Sequence, residues 1–207
     1  MARQKSASSN DTRKQLITTT FECVENKPWS LVTMTDIAAS AGVSLTDCLR
    51  EFPNKSSVLS GLSRDVDAAV LKGFEDDGDD SESRKDQLFD VLMSRIDALA
   101  PYKSGLAKIV PEILSDPLES VRQAIRLHCS MALMLEAVGI TSSGWRGVVK
   151  IKGLSLIYAN GLRVWFGDDS TDMSATMAAI DRGLTKAEQL VKICDSCDVP
   201  KSSGPTA

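Results

Sequence analysis

The chain has 207 residues, of which 43% are hydrophobic and 25% are charged, and its formal net charge is −4. This composition is that of a globular protein long enough to bury a core, and no apolar run approaches the roughly 18 residues that a membrane span requires. The polar first ten residues lack the apolar stretch of a secretory signal, and an odd number of cysteines, five, fits a reducing compartment. We therefore expect a cytoplasmic protein without stable membrane insertion.

The negative charge is concentrated in one segment. Six acidic residues lie within residues 75–82, and without them the net charge of −4 becomes +2. We interpret this segment as a solvated loop between two domains. The first sixty residues carry seven basic and six acidic residues, which is a small positive excess for a protein that binds DNA.

The N-terminal region predicts a short helical module. Apolar residues at helical spacing around Leu16 and Phe21 predict a first helix from about residue 11 to 26, preceded by a disordered tail (1–10) and ended by Pro28. Thr33 and Asp36 have the spacing of a capping box, and the short helix that follows ends at Gly42. Ser44 starts a second box of the same kind.

Two short helices joined by a tight glycine turn predict a helix-turn-helix over about residues 33–52, inside an N-terminal domain of residues 11–57. Asn54 can cap a fourth helix. Helical patterns then continue with no competing strand pattern, which predicts an all-α fold of about nine helices and a second domain of residues 58–197. Residues 118–138 are expected to form its buried central helix, Pro111 to bend or break the helix before it, and residues 198–207 to form a disordered tail.

The last helix repeats apolar residues in a strict heptad pattern, which predicts packing against a partner helix. The preceding helix offers glycines for close approach together with large apolar side chains. The predicted interface between two chains consists of Gly153, Ile157, Gly161, Trp165, Met173, Met177, Ile180, Leu184, Ala187 and Val191.

One stretch of sequence resembles a known family. Residues 35–44 (TDIAASAGVS), closed by Phe52-Pro53-Asn54-Lys55, resemble the DNA-binding segment of TetR-family transcriptional regulators. The likeness covers roughly the first sixty residues. It implies a homodimer that binds a palindromic operator in double-stranded DNA as a repressor does and releases it when a small apolar molecule enters the second domain.

The resemblance also implies which residues meet DNA. Carried over by position, the third helix enters the major groove and its neighbours contact phosphate. The residues so placed are Arg13, Lys14, Thr35, Ser44, Leu45, Thr46, Asp47, Leu49, Arg50 and Lys55. The chain departs from the family pattern at Leu49, where a tyrosine is usual, and at Thr46, where a glycine is usual. Asp47 and Glu51 add negative charge to a helix that would lie against an anionic groove.

A ligand pocket is expected among the apolar helices of the second domain, although ordinary core is the alternative for each residue taken singly. The expected lining is Phe89, Leu92, Met93, Ile109, Ile113, Leu127, His128, Met131, Met134 and Leu135. Because His128 is the only histidine, multi-histidine metal sites are excluded. Cys194 and Cys197 have the spacing of half a zinc site, but no second pair accompanies them. We expect no enzyme activity, no cofactor and no metal.

A second, shorter resemblance bears on function. Residues 168–176 and 180–182, preceded by Val164 and Trp165, are similar to the last two helices of a ubiquinone-biosynthesis accessory lipid-binding protein family. This implies an alternative function, a lipid- or isoprenoid-binding accessory protein with a TetR-like fold and no role on DNA.

Overall fold

The computed structural model describes residues 2–77 and 81–197, with side chains from 11 to 76 and from 81 to 190. Over these residues it contains nine α-helices, two short 3-10 turns (Trp29–Leu31 and Ala100–Tyr102) and no strand, so the predicted all-α class is confirmed. The helices are α1 (Ala2–Asn26), α2 (Met34–Ser40), α3 (Leu45–Glu51), α4 (Lys55–Asp77), α5 (Arg84–Leu99), α6 (Lys103–Ser115), α7 (Pro117–Ala137), α8 (Gly144–Trp165) and α9 (Ser174–Cys197).

The first helix is longer than predicted. α1 begins at Ala2, whereas the sequence predicted a start near Asp11 after a disordered tail. Residues 2–26 contain neither glycine nor proline, and the segment before Asp11 includes alanine, arginine, glutamine and lysine, which favour helix. The predicted end of the helix before Pro28 is confirmed. The tail predicted for residues 198–207 lies outside the described residues.

The larger domain is organised around α5 rather than α7. α5 buries six apolar side chains: Leu88, Val91, Leu92, Met93, Ile96 and Leu99. The prediction that residues 118–138 form the buried central helix is wrong, since Leu118, Val121 and Ile125 on the first half of α7 are each more than half exposed. Apolar residues occur on most faces of α7, but its second half alone presents a buried stripe, which includes Met131, Met134 and Leu135.

Pro111 does not break its helix. α6 runs from Lys103 to Ser115 with Pro111 inside it, so the predicted break is absent. Proline removes one backbone hydrogen bond, and the exposed position of Pro111 lets water satisfy the carbonyl that loses its partner.

One continuous core joins the N-terminal helices to the larger domain. The rings of Phe21 on α1 and Tyr102 lie 4.8 Å apart, and Gly105 on α6 leaves the space that Phe21 occupies. The Glu112 carboxylate on α6 accepts hydrogen bonds from the backbone N–H groups of Trp29 and Ser30, both at 2.8 Å. The helix-turn-helix module (residues 11–57) and the bundle domain (residues 58–197) therefore pack firmly together, and the boundary between them stays a prediction.

Candidate nucleic-acid interface

The first helix of the helix-turn-helix begins as its sequence predicts. The hydroxyl of Thr33 accepts from the N–H of Asp36 at 3.1 Å, and the Asp36 carboxylate accepts from the N–H of Thr33 at 2.8 Å. Both halves of the capping box are thus present. Hydrogen bonds from Lys27 and Thr33 lower the pKa of Asp36 to about 2. Gly42 has a φ of +66°, the left-handed conformation that glycine adopts without steric cost.

The second capping box is only half formed. Ser44 accepts from the N–H of Asp47 at 3.1 Å, but the Asp47 carboxylate accepts from the Ser44 hydroxyl at 2.7 Å instead of from its backbone. The other carboxylate oxygen of Asp47 pairs with Arg50 at 2.7 Å. These bonds, first the one from Ser44, lower the pKa of Asp47. The negative charge of Asp47 is therefore matched by a cation on the same exposed face.

The outward face of α3 is open to solvent. Cys48 is fully buried and anchors the helix, whereas Leu45, Thr46, Leu49 and Arg50 are exposed, with 74% of the Arg50 side chain accessible. Leu45 and Leu49 are 41% and 39% exposed. This face combines apolar groups, a hydroxyl and a guanidinium, and these are groups that read base edges in a major groove.

Glu51, whose charge the sequence placed against DNA, points away from that face. Its carboxylate pairs with Arg13 of α1 at 3.0 Å, and Arg13 also contacts Asp65 of α4 at 3.1 Å and covers the ring of Phe52. Burial opposes the charge of Arg13, but these two carboxylates raise its pKa overall. Arg13 ties three helices together, so in this conformation it is not available to phosphate as the sequence predicted.

Lys55 has a similar internal role. Its amine donates to the backbone carbonyls of Trp29, Ser30 and Val32, at 2.6, 3.3 and 3.4 Å, and lies over the Trp29 ring. Burial lowers the pKa of Lys55. The phosphate contact predicted for Lys55 is therefore not available here either. Lys14 and Thr35 are exposed and remain free of this restriction.

Most residues of the expected ligand pocket lie in solid core. Leu92, Ile109, Met131 and Met134 are fully buried, and Met93, Ile113 and Leu135 nearly so, while Leu127 and His128 are half-buried. Phe89 differs, since it lines an open depression of about 320 Å³ between α5 and α9 with Asp86, Met177, Ala178 and Asp181. The ligand pocket and its lining stay a prediction.

The heptad seam of α9 packs against α8 of the same chain. A Cβ at Gly161 would lie 2.8 Å from Ile180, and one at Gly183 would lie 2.8 Å from Ile157. Trp165, Ile180 and Leu184 are almost completely buried, while Met173, Met177 and Ala187 are partly so. The buried side chains Trp165, Ile180 and Leu184 therefore hold the subunit together, and the contact between chains expected at this seam stays a prediction. The side chain of Val191 lies outside the described residues.

The other face of these two helices is apolar and exposed. Trp145, Val149 and Leu156 follow one stripe of α8 and are 73%, 60% and 73% exposed, and Leu190 of α9 is 63% exposed. A Cβ added at Gly153 would meet nothing within 4 Å, so Gly153 also borders open space. The sequence prediction selected the buried seam of this helix pair and did not include Trp145, Val149 or Leu156 on this outer face.

A buried polar cluster in the bundle domain was not predicted from the sequence. Arg95 of α5 donates from Nε to Asp67 of α4 at 2.9 Å and from Nη1 to the hydroxyl of Tyr158 of α8 at 2.6 Å. Nη2 donates to Ser63 of α4 and Ser130 of α7. Burial raises the pKa of Tyr158. The available signal was a charged residue inside each of two apolar stripes, Asp67 after Val66 and Arg95 before Ile96.

Together these features define a helix-turn-helix protein: two short capped helices, the second of them exposed, pack on the other seven helices of the described residues. No family model matches the chain. It is 27% identical over 128 residues to an uncharacterised HTH-type transcriptional regulator of Mycobacterium bovis, which covers 62% of this chain and 63% of that relative. The chain thus matches less than two thirds of the relative's length.

Two solved structures are similar over most of the chain. A TetR transcriptional regulator of Nitrosomonas europaea has a TM-score of 0.71 at 22% identity, covering 86% of this chain and 98% of that one. A TetR transcriptional regulator of a Rhodococcus species has a TM-score of 0.61 at 18% identity, covering 86% and 96%. The chain has the fold of TetR regulators, and the predicted resemblance to them is confirmed at that level. The similarity to the ubiquinone accessory proteins stays a prediction.

Among the described residues, none of the helices combines the length and apolarity needed to cross a bilayer.

Proposed function

We propose that the protein is a homodimeric, DNA-binding transcriptional regulator of the TetR type and not an enzyme. The observation that carries this proposal is the outward face of α3, which presents Leu45, Thr46, Leu49 and Arg50 to solvent. The local charge supports it as well, because Glu51 is paired with Arg13 and Asp47 is paired with Arg50. The acidity of this helix is thereby reduced where it would approach phosphate.

In this proposal α3 lies in the major groove. Arg50 donates to a guanine, and Leu45 and Leu49 contact thymine methyl groups. Lys14, Thr35 and Ser44 are placed to meet the backbone, which positions the module without reading sequence. Two copies dock when their recognition helices are spaced about one helical turn, ~34 Å, so the operator is a palindrome.

The dimer forms through the outer face of α8 and α9. Trp145, Val149, Leu156 and Leu190 supply an apolar stripe that has no cover within the described chain. Leu156→Glu is expected to convert the dimer to a monomer in sedimentation, because it places a charge in the centre of that stripe. Leu118→Glu, at a leucine of α7 that is also more than half exposed, is the matched control and should leave the dimer intact. A dimer that survives Leu156→Glu would place the interface elsewhere.

A small apolar ligand in the bundle domain then lowers operator affinity. The ligand would open the core between Phe89, Ile109, His128 and Met131, since methionine-rich surroundings repack easily. α4 is the connection between the two parts of the chain, and its displacement would change the distance between the two copies of α3. A change of a few ångströms is enough to prevent simultaneous docking.

Selection from a pool of random DNA duplexes tests the proposal. Purified protein should enrich a palindrome at low salt, and a Leu45→Glu, Leu49→Glu double variant should not. Enrichment of no palindrome by the wild-type protein would reject the regulator function.

That outcome would favour the second candidate, an accessory protein that binds a lipid or isoprenoid. The observation in its favour is apolar exposure away from the dimer face, at Leu114 of α6 and at Leu118, Val121 and Ile125 of α7. Co-purification of an isoprenoid lipid, found by mass spectrometry of a solvent extract, would then be the expected result.

A further inference from the structure

The buried cation Arg95 sits where four helices meet. Its side chain is only 6% exposed, and its hydrogen bonds reach α4, α7 and α8. A guanidinium cannot lose its proton, so a buried arginine requires an anion close by. The anion that its hydrogen bonds reach is Asp67, which is 8% exposed.

Asp67 binds the guanidinium only through Nε, so the two Nη atoms are left to neutral hydroxyl groups. Asp67 accepts from Nε at 2.9 Å, while its second oxygen accepts from the Ser130 hydroxyl at 2.5 Å. The Nη1 and Nη2 end meets the hydroxyls of Tyr158, Ser63 and Ser130 at 2.6, 3.0 and 3.2 Å. That end is a fork that carboxylates bind with two parallel hydrogen bonds.

The surroundings of the cluster are apolar. Leu92 and Ile96 flank Arg95 on α5, Met131 follows Ser130, and Leu154 lies one turn before Tyr158, and all four are nearly or completely buried. A few convergent polar groups in an apolar setting are the usual composition of a small-molecule site. Such a site selects a ligand that is apolar along its length and polar at one end.

Charge decides how an acid would bind. The cluster holds one cation and one anion, and a second anion in a medium of low dielectric constant would be strongly unfavourable. An incoming carboxylate is accommodated when it takes the place of the Asp67 carboxylate, which then leaves the cluster with α4.

We propose that Arg95, Ser130 and Tyr158 recognise an apolar carboxylic acid, whose carboxylate replaces that of Asp67 on Arg95. Two residues earlier on α4, Asp65 holds Arg13, which in turn holds Glu51 at the end of α3. Release of Asp67 therefore acts through α4 itself on Asp65, and from Asp65 through the ion pairs of Arg13 on α3. The ligand class does not depend on the regulator function, but its effect on DNA rests on that proposal.

Calorimetric titration of the full-length protein with decanoate and decanol, and with hexanoate and hexanol, tests the ligand class. At one chain length or both, the acid should bind about tenfold more tightly than the alcohol, because hydrogen bonds to a charged group contribute more than neutral ones. Arg95→Met should abolish this preference. Equal binding of acid and alcohol at both lengths would overturn the proposal.

Asp67→Asn distinguishes exchange from simple addition. With the competing carboxylate removed, decanoate affinity should rise about tenfold, while decanol affinity stays the same. Decanoate should also raise the thermal unfolding midpoint of this variant more than that of the wild type, because it supplies the missing anion. A purely structural ion pair would give no gain in decanoate affinity, and that result would overturn the exchange.

If Asp67→Asn does not fold, amide hydrogen exchange of the wild-type protein tests the release of α4 instead. Decanoate should speed exchange of amides in α4 around Asp67, and decanol should not, whereas unchanged or slower exchange there would overturn the release of α4. Failure of the DNA selection together with success of these titrations would remove the regulator function and leave the ligand class in place. The reverse result would remove the ligand class alone.

Discussion

The helix-turn-helix module and the bundle domain each hold α4 with an arginine and an aspartate, but the two ion pairs differ in burial. Arg13 and Asp65 are 18% and 39% exposed, whereas Arg95 and Asp67 are 6% and 8% exposed. Water and salt screen the first pair, and they have little access to the second. The same two residue types thus make a partly exposed, screened ion pair on one side of α4 and a buried ion pair on the other.

The largest expected effect is that of Arg95→Ala. It leaves Asp67 buried without its cation, which is expected to lower the free energy of unfolding by about 3–5 kcal/mol. Urea denaturation at low and at high salt should give the same loss. The double variant Arg95→Met, Asp67→Leu removes both buried charges and should recover most of the stability, and a double variant as unstable as Arg95→Ala would contradict this reading of the pair.

Arg50→Ala is expected to act on binding alone. Operator affinity should fall by about 1–3 kcal/mol if Arg50 donates to a guanine, with no change in the unfolding midpoint. Arg122→Ala on α7 is the matched control, because Arg122 is also exposed and also pairs with an acid three residues away. Equal operator affinity for the Arg50→Ala and wild-type proteins would remove Arg50 from the base contacts.

Arg13→Ala should cost less stability than Arg95→Ala. The loss of two part-exposed ion pairs and of the contact with the Phe52 ring is expected to lower the free energy of unfolding by about 1–2 kcal/mol. Raising the salt concentration should shrink this difference from the wild type, as screening weakens the pairs in the wild-type protein. A loss that salt does not change would show that Arg13 acts by packing.

The smallest effect on stability is expected at the exposed capping box of Thr33 and Asp36, which starts α2. The folded-state pKa of Asp36, about 2, lies below its unfolded value of roughly 3.9, so its contribution to stability is complete above pH 4 and disappears as pH falls toward 2. Urea denaturation of Asp36→Asn and of the wild type should therefore differ at neutral pH and converge in acid. Lys27→Met removes the main partner of Asp36 and should move this convergence to higher pH.

Local signals in the sequence predicted the start and the turn of the helix-turn-helix. Thr33, Asp36 and Gly42 act within a few residues of themselves, so a capping box and a left-handed turn can be recognised from spacing. The prediction of a second capping box was only half right, because the Asp47 carboxylate has two partners within reach, Ser44 and Arg50, and residue spacing does not decide between them. Sequence likewise could not place Arg13, whose partners Glu51 and Asp65 are 38 and 52 residues away.

Periodicity predicted which faces are covered, but not by what. The heptad pattern around Ile180 and Leu184 does mark a buried seam, yet the helix that covers it is α8 of the same chain, since Gly161 and Gly183 allow that close approach. In α7 the apolar residues on most faces suggested full burial, but helices of the described bundle cover one stripe only. The Arg95 cluster needs residues from four helices, and no local pattern brings those together.

Consecutive residues of an α-helix are turned by about 100°, so Asp65 and Asp67 project in directions about 200° apart around α4. The helix is therefore gripped on nearly opposite sides. A rotation of α4 about its long axis would break both ion pairs at once, whereas loss of the Arg95–Asp67 pair alone leaves the ion pairs of Arg13 with Asp65 and Glu51 in place. Loss of the buried pair therefore lets α4 move while the ion pairs that orient α3 are kept.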